Sequence, residues 1–207
     1  MYLNKELFSD FLTERDITWL GIDFSKAAFT KKGFGIPYDI LQLYFNEWNM
    51  LIISDQKKYD IRICFRKPVM NYNLSLVKKS NKLVKNQVVF YDFIGIEHVY
   101  TEDFIKEYIA PLAIPSETKY SLMFIVESFD QNIKTGVVWV VLIYSKTSEV
   151  VLCEKFMENP SGFNTKNYWA RVFYNIFFKI QKSAFPRWEN YVKGKICIFV
   201  NKFDSTK

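Results

Sequence analysis

Strand-like runs of hydrophobic residues follow one another in the second half of the chain, at residues 120–129, 137–144 and 150–157. Polar segments of hairpin length separate the three runs. Short connections of this kind join antiparallel neighbours, because a parallel pair needs a longer crossover. The pattern therefore predicts an antiparallel meander sheet over about residues 119–157.

The middle run, residues 137–143, is apolar on both faces. It predicts a strand in the interior of the sheet that is covered on both sides. A further strand is predicted over residues 17–24, where Leu20, Ile22 and Phe24 alternate with other side chains. The pattern leaves open whether this strand joins the sheet in the parallel or the antiparallel direction.

Three amphipathic helices are predicted at about residues 36–53, 101–113 and 163–182, because apolar residues recur there at intervals of three and four. The last of them has only a narrow polar stripe, so most of its surface should be buried. The elements together predict an α+β fold in which these helices pack against the meander, with residues 1–207 forming a single domain.

Four other segments give weaker patterns. Residues 59–66 fit a strand or a helix, and residues 74–82 fit a short helix. Residues 87–93 and 195–201 are each predicted to form a strand.

The chain has 207 residues, of which 49% are hydrophobic and 24% are charged. This composition predicts one folded, water-soluble domain and argues against disorder and against a multi-pass membrane protein. The longest apolar stretch, residues 137–144, is far shorter than the ~20 residues of a membrane helix. No basic segment followed by an apolar run opens the chain, so no signal peptide is predicted. The sequence leaves two possible locations: the cytoplasm, or an exported location if a leader has been removed.

The formal net charge of +6 suits an anionic partner such as nucleic acid or lipid headgroups. Only five of the 28 basic residues are arginines, the side chain that dedicated phosphate readers prefer. The densest basic patch is Lys78, Lys79, Lys82 and Lys85. On a helix it would give at most weak, non-specific binding of nucleic acid, and a solvated helix face is the simpler explanation.

Metal and cofactor chemistry finds little support in the sequence. Cys64, Cys153 and Cys197 are widely spaced without a C-x-x-C pair, and His98 is the single histidine. These residues predict neither a disulfide framework nor a zinc site. The glycine pair around Phe34 lacks the third glycine of a dinucleotide-binding loop. We therefore expect no metal, no cofactor and no histidine-based catalytic triad.

Two acidic residues, Asp23 and Glu127, lie inside the most apolar strand segments. Burying a carboxylate costs several kcal/mol unless it is paired, so both positions need an explanation. One hypothesis makes them a carboxylate pair for acid–base catalysis, with Arg171 or Tyr168 as a partner. The alternative is structural: Asp23 caps a turn through Ser25, and Glu127 is a surface or salt-bridged residue near a sheet edge.

Aromatic and polar residues recur in short combinations along the chain. They are W-x-G-x-D-F-S at residues 19–25, F-N-E-W-N at 45–49, E-S-F at 127–129, W-V at 139–140, and G-F at 162–163 followed by N-Y-W-A at 167–170. Together they resemble an uncharacterised bacterial protein family of unknown function. The resemblance covers most of residues 5–182 and implies no activity, ligand or catalytic residue. Members of similar appearance often carry an export leader, which the start of this sequence does not show.

The absence of an assembled chemical motif predicts a non-catalytic binding or interaction domain with an unknown ligand. A protein partner, or self-association through the apolar 163–182 helix, fits this prediction. Two alternatives stay open. One is a hydrolase-like enzyme that uses the carboxylates of Asp23 and Glu127, and the other is a weak nucleic-acid binder that uses the lysine-rich helix face.

Overall fold

The computed structural model of the chain describes residues 1–34, 38–83, 90–95, 98–115 and 117–194. The described strands form one sheet with the order β1-β8-β7-β6-β2-β4. The short strand β3 also pairs with β6, and β5 pairs with β3. The strands are β1 (Tyr2–Leu3), β2 (Asp16–Asp23), β3 (Ala28–Thr30), β4 (Val69–Tyr72), β5 (Phe90–Tyr91), β6 (Tyr120–Asp130), β7 (Thr135–Tyr144) and β8 (Glu149–Glu158).

The antiparallel meander is confirmed as the middle of this sheet. β7 lies between β6 and β8 and pairs antiparallel with both. Every residue of β7 from Gly136 to Ile143 is buried, as its double-sided apolar pattern predicts.

The prediction of an antiparallel sheet holds only for this part. β2 pairs in parallel with β6 and with β4, and β3 pairs in parallel with β6 and with β5, so the whole sheet is mixed. The hairpins of the meander are local and can be recognised from short turns. The parallel pairings join segments far apart in the chain through helical crossovers, and no local pattern encodes them.

Helices pack against the sheet. They are α1 (Lys5–Thr13), α2 (Lys31–Phe34), α3 (Tyr38–Ser54), α4 (Ile61–Phe65), α5 (Ser75–Leu83), α6 (Glu102–Ile109), α7 (Thr165–Lys179) and α8 (Phe185–Val192), with a π-helical turn (Ile180–Ala184) between α7 and α8. None of the described helices is long and apolar enough to cross a lipid bilayer.

The three predicted amphipathic helices correspond to α3, α6 and α7. α6 ends at Ile109, earlier than predicted, because Pro111 lies in the turn that follows. The ambiguous segment at 59–66 contains the helix α4. The strand predicted at 195–201 lies outside the described residues, and the one at 87–93 is described as strand only at Phe90–Tyr91.

One face of the sheet packs against α7 through aromatic side chains. The ring of Phe129 stacks on Trp169 with centroids 4.5 Å apart, and Phe124 stacks on Phe177 at 5.2 Å. Burial of each such side chain contributes about 2–3 kcal/mol to the free energy of unfolding. This face forms the aromatic core of the molecule, and the predicted burial of the 163–182 helix is explained by it.

A glycine bends β2 in its second half. The register between β2 and β6 shifts between Trp19 and Gly21, where the backbone has a φ of +108°. A Cβ atom on Gly21 would lie 2.5 Å from Cγ2 of Val77. Glycine is required there both by the positive φ and by the close approach of α5.

Two asparagine side chains take the place of a neighbouring strand beyond the bend. Asn49 Oδ1 accepts a hydrogen bond from the amide of Ile22 at 2.7 Å, and its Nδ2 donates to the carbonyl of Ile22 at 3.0 Å. Asn81 Oδ1 accepts from the amide of Phe24 at 2.8 Å. These contacts satisfy buried backbone groups and fix the end of β2, where Asp23 lies.

Candidate functional site

The sheet places Asp23 and Glu127 on the same face, opposite α7. Asp23 is the last residue of β2 and lies directly across from Ile125 of β6, and side chains at such positions share a face. Glu127 follows two residues later at a bulge, because Val126 pairs with Val138 and Ser128 with Val137. The bulge turns Glu127 toward the segment before α6.

Asp23 is buried in a closed set of hydrogen bonds. Its Oδ1 accepts from the amide of Ser25 at 2.7 Å, and its Oδ2 accepts from the hydroxyl of Tyr108 at 2.6 Å. The Ser25 and Tyr108 hydroxyl oxygens are 2.9 Å apart. Because the Tyr108 proton is directed to Asp23, the Ser25 hydroxyl donates to Tyr108. Asp23 thus caps the turn after β2 and holds α6.

Glu127 is held by donors from three parts of the chain. Its Oε2 accepts from the indole nitrogen of Trp139 at 2.8 Å and from the amide of Tyr100 at 3.1 Å. The ammonium of Lys155 lies 2.9 Å from Oε2 and 3.2 Å from Oε1. The side chain of Glu127 is only 5% exposed, against 27% for Lys155. A buried ion pair needs this extent of hydrogen bonding to offset its desolvation.

Tyr100 lies within electrostatic range of both carboxylates. Burial, followed by the negative charges of Glu127 and Asp23, raises the pKa of Tyr100, and its hydroxyl donates to the carbonyl of Lys26. Burial and the charge of Asp23 raise the pKa of Tyr108 as well. Both phenols therefore stay protonated near neutral pH and act as hydrogen-bond donors.

A cleft of about 410 Å³ opens above Glu127 and Lys155. This volume is within the range of small-ligand sites, which is about 300–1,000 Å³. Large apolar side chains at its rim are exposed, with exposed fractions of 66% for Ile133, 58% for Met157 and 53% for Val99. We call these three residues the rim. The other lining residues are Ile94, Gly95, His98, Ser128, Asp130, Thr135 and Val137.

His98 lies in the wall of this cleft, in the loop before α6. Its ring centroid is 4.1 Å from that of Tyr91, and its amide donates to the carbonyl of Gly95 at 3.2 Å. The sequence predicts an ordinary strand or loop histidine, and the described position is a 3₁₀ turn between β5 and α6.

Arg171 and Tyr168, the suggested partners of the carboxylates, are on the other face. Both belong to α7, which packs against the aromatic core. The guanidinium of Arg171 is exposed and lies 4.4 Å from the ring centroid of Tyr174. The structure therefore brings Asp23 and Glu127 to one face but does not bring Arg171 to them. A catalytic role for either carboxylate stays a prediction.

The sequence interpretation missed Lys155, Trp139 and Tyr100 as partners of Glu127. A signal for two of them exists, since Trp139 and Lys155 are directly opposite on adjacent strands of the predicted meander. The bulge at Glu127 removes the simple register that would have connected them to the carboxylate. The contact from Tyr100 depends on how the segment before α6 crosses the sheet.

Among the described residues, no group of three or more His, Cys, Asp or Glu side chains could hold a metal ion. Burial raises the pKa of Cys64 to about 12 and that of Cys153 to about 11, so both are protonated thiols at neutral pH. Cys197 lies outside the described residues.

The lysine-rich face is described in part. Lys78, Lys79 and Lys82 are exposed on α5, and Lys85 lies outside the described residues. Lys67, upstream of them, is buried and donates to the carbonyls of α1, so it does not add to the exposed basic patch.

Comparison with known proteins gives no information on the function of this site. Neither the protein-family models nor the curated proteins include a match to this chain.

Proposed function

We propose that the protein is a non-catalytic binding domain and that the cleft above Glu127 and Lys155 is its ligand site. One observation carries the proposal. The carboxylate in the floor of the cleft accepts from Trp139, Tyr100 and Lys155 of the fold itself, whereas the apolar rim is exposed. Large exposed apolar groups around a concave site favour binding.

The hydrogen bonding favours binding over acid–base catalysis. A general acid or base has to exchange a proton with a substrate, so one of its oxygens must be open to that substrate. Oε2 of Glu127 accepts from Trp139, Tyr100 and Lys155, and its Oε1 lies 3.2 Å from the Lys155 ammonium. Oδ1 of Asp23 accepts from the amide of Ser25, and Oδ2 accepts from the hydroxyl of Tyr108. The hydrolase-like alternative would have to act through Oε1 of Glu127, beside the Lys155 ammonium, or break the other contacts during turnover.

The chemistry of the cleft indicates a ligand with an apolar body and a hydrogen-bond acceptor. The rim supplies the apolar contact. The ammonium of Lys155 has three N–H donors and is partly exposed at the floor, where it can donate to a carbonyl or an anionic group. Asp130 also lines the cleft, and its Oδ1 accepts from the amide of Asn132 at 2.7 Å.

Anilinonaphthalene sulfonate is a suitable probe because it combines an apolar ring system with an anionic group. We expect its fluorescence to rise on binding to the native protein. Met157→Glu should weaken this binding by about tenfold or more, since it places a charge at the rim. The matched control is Phe163→Glu, because Phe163 is 93% exposed and does not line the cleft.

Equal loss of dye binding in both variants, or no binding to the native protein, would count against the proposal. Turnover offers a second, independent test. If the protein hydrolyses any member of a panel of ester, phosphate, glycoside and peptide substrates and loses that activity in Glu127→Gln or Asp23→Asn, the enzyme alternative replaces the binding domain.

The nucleic-acid alternative rests on the three exposed lysines of α5. It predicts retardation of DNA or RNA at low ionic strength that disappears steeply as salt is added. The double variant Lys78→Glu and Lys82→Glu should abolish the retardation. No retardation of the native protein at low salt would exclude this alternative.

A further inference from the structure

The outer edge of β8 is only partly occupied. β1 pairs with it at Leu152 and Cys153, and the amide of Asn4 donates to the carbonyl of Val151 at 2.8 Å. Beyond these contacts, no strand among the described residues pairs with the outer side of residues 154–158. Within the described part of the chain, the N–H and C=O groups of this segment that point away from β7 therefore have no strand partner beside the cleft.

Proteins usually protect such an edge with charged side chains, because an added strand would bury the charge. The charges of this segment are already paired within the fold. Lys155 is turned onto Glu127, Glu154 accepts from Trp188 at 2.6 Å and from Arg187, and Glu158 lies 2.5 Å from Lys179. These charges therefore do not prevent another strand from pairing with the edge.

The side chains of the segment alternate between the two faces of the sheet. Lys155 and Met157 face the cleft, whereas Glu154 and Glu158 contact α8 and α7 on the other face. A strand added beside this segment would lie about 4.8 Å away. Every second side chain of that strand would then point toward the cleft, next to the exposed rim.

We propose that the outer edge of residues 154–158 accepts an extended segment of a protein partner by strand addition, with apolar side chains of the partner packing on the rim. The inference rests on the proposed function of the cleft and names the class of its ligand. Main-chain hydrogen bonds supply affinity, and the cleft selects apolar residues at alternate positions. The free edge accommodates a partner segment of about five residues.

The test uses peptides selected on the 207-residue chain from a displayed library of random ten-residue sequences. A selected peptide is then synthesised with one backbone amide methylated at a time. Methylation at alternate positions should weaken binding by about tenfold or more, because each affected amide loses its hydrogen bond to β8. Methylation at the positions between them should change little.

Hydrogen exchange locates the peptide. Within residues 154–158, alternate amides are bonded to β7 and the others point to the outer edge. We expect the outward amides to become protected on adding the peptide, and those of Val69–Tyr72 in β4, the opposite edge of the sheet, to stay unchanged. Met157→Glu should lower peptide affinity, and Phe163→Glu should not. A peptide whose binding is insensitive to methylation, or which protects another surface, overturns the proposal.

Three further outcomes would also overturn it. Protection of the outward amides of residues 154–158 in the peptide-free protein that grows with protein concentration would show that a second copy closes the edge. The same protection at every concentration would show that the edge is already paired within the chain. Failure to select any peptide, while the dye still binds the cleft, would reject strand addition but leave the proposed binding site intact.

Discussion

Lys155 holds both oxygens of the Glu127 carboxylate, at 2.9 and 3.2 Å, although the two residues come from different strands and Glu127 is nearly inaccessible to water. The ammonium also lies 5.1 Å from the ring centroid of Trp139, the residue that donates to the same carboxylate. The floor of the cleft is therefore one cooperative unit in which each charged group depends on the other.

The first prediction concerns this pair. Lys155→Met should lower the free energy of unfolding by about 3 kcal/mol, because it leaves a buried carboxylate without its counter-ion. Adding Glu127→Gln to that variant should restore most of the loss, since the amide oxygen can still accept from Trp139 and Tyr100. Urea denaturation of the native protein, the two single variants and the double variant gives the coupling energy. A Lys155→Met variant as stable as the native protein would contradict this account.

The second prediction concerns the bend in β2. Gly21→Ala should destabilise the protein by about 2–5 kcal/mol, because a Cβ atom would overlap Val77 and the φ of +108° strains any other residue. Gly194→Ala is the matched control. Gly194 also has a positive φ, but it has no neighbour within 4 Å, so about 1 kcal/mol is expected. Thermal or urea denaturation distinguishes the two, and equal effects would contradict the steric explanation.

The third prediction concerns the hydroxyl contact between α6 and β2. Tyr108→Phe removes the donor to Asp23 and the acceptor for Ser25, so we expect a loss of about 1–3 kcal/mol. Tyr191→Phe should change stability little, since Tyr191 is 48% exposed. Faster hydrogen exchange of the α6 amides should accompany the loss in the first variant only. If α6 exchanges at the native rate, other contacts hold it.

The fourth prediction concerns pH. Burial lowers the pKa of Lys67 from its usual value to about 8, against the opposing charges of Glu14 and Asp16. The unfolded chain therefore binds more protons than the folded protein between pH 8 and about 10.4, and the Lys67 contribution to the free energy of unfolding rises with pH in that window.

Lys67→Met isolates this effect from other groups that titrate in the same range. The difference in free energy of unfolding between the native protein and Lys67→Met should shift in favour of the native protein by on the order of 1–2 kcal/mol from pH 8 to 10. Urea denaturation at several pH values measures it. A difference that is constant with pH would show that Lys67 titrates normally.

The parts of the fold that the sequence predicts are those with local signals. The apolar run at 137–143 and the narrow polar stripe of the 163–182 helix can each be recognised within a single element. The sequence does not determine the parallel pairing of β2 with β6, because that pairing depends on how the intervening helices return the chain to the sheet.

The site was predicted less completely for the same reason. Burial singled out Asp23 and Glu127 correctly as residues in need of partners, and the turn at Ser25 was among the alternatives. Trp139 and Lys155 reach Glu127 because a bulge changes the direction of that residue. The sequence does not show which face of the sheet α7 covers, so it cannot show that Arg171 lies away from the carboxylates. One-dimensional patterns give the period of a strand but not its bulges or the side from which a helix approaches.

The division between the buried floor and the exposed rim has an evolutionary consequence. Substitutions at Ile133, Met157 or Val99 alter the surface that a partner would meet while leaving the aromatic core and the Glu127 contacts untouched. Such positions can drift or adapt without the loss of stability that usually accompanies a new specificity. A few substitutions at the rim can therefore change what such a scaffold binds. Substitutions that destabilise the fold are concentrated in the aromatic core and at the Glu127 contacts.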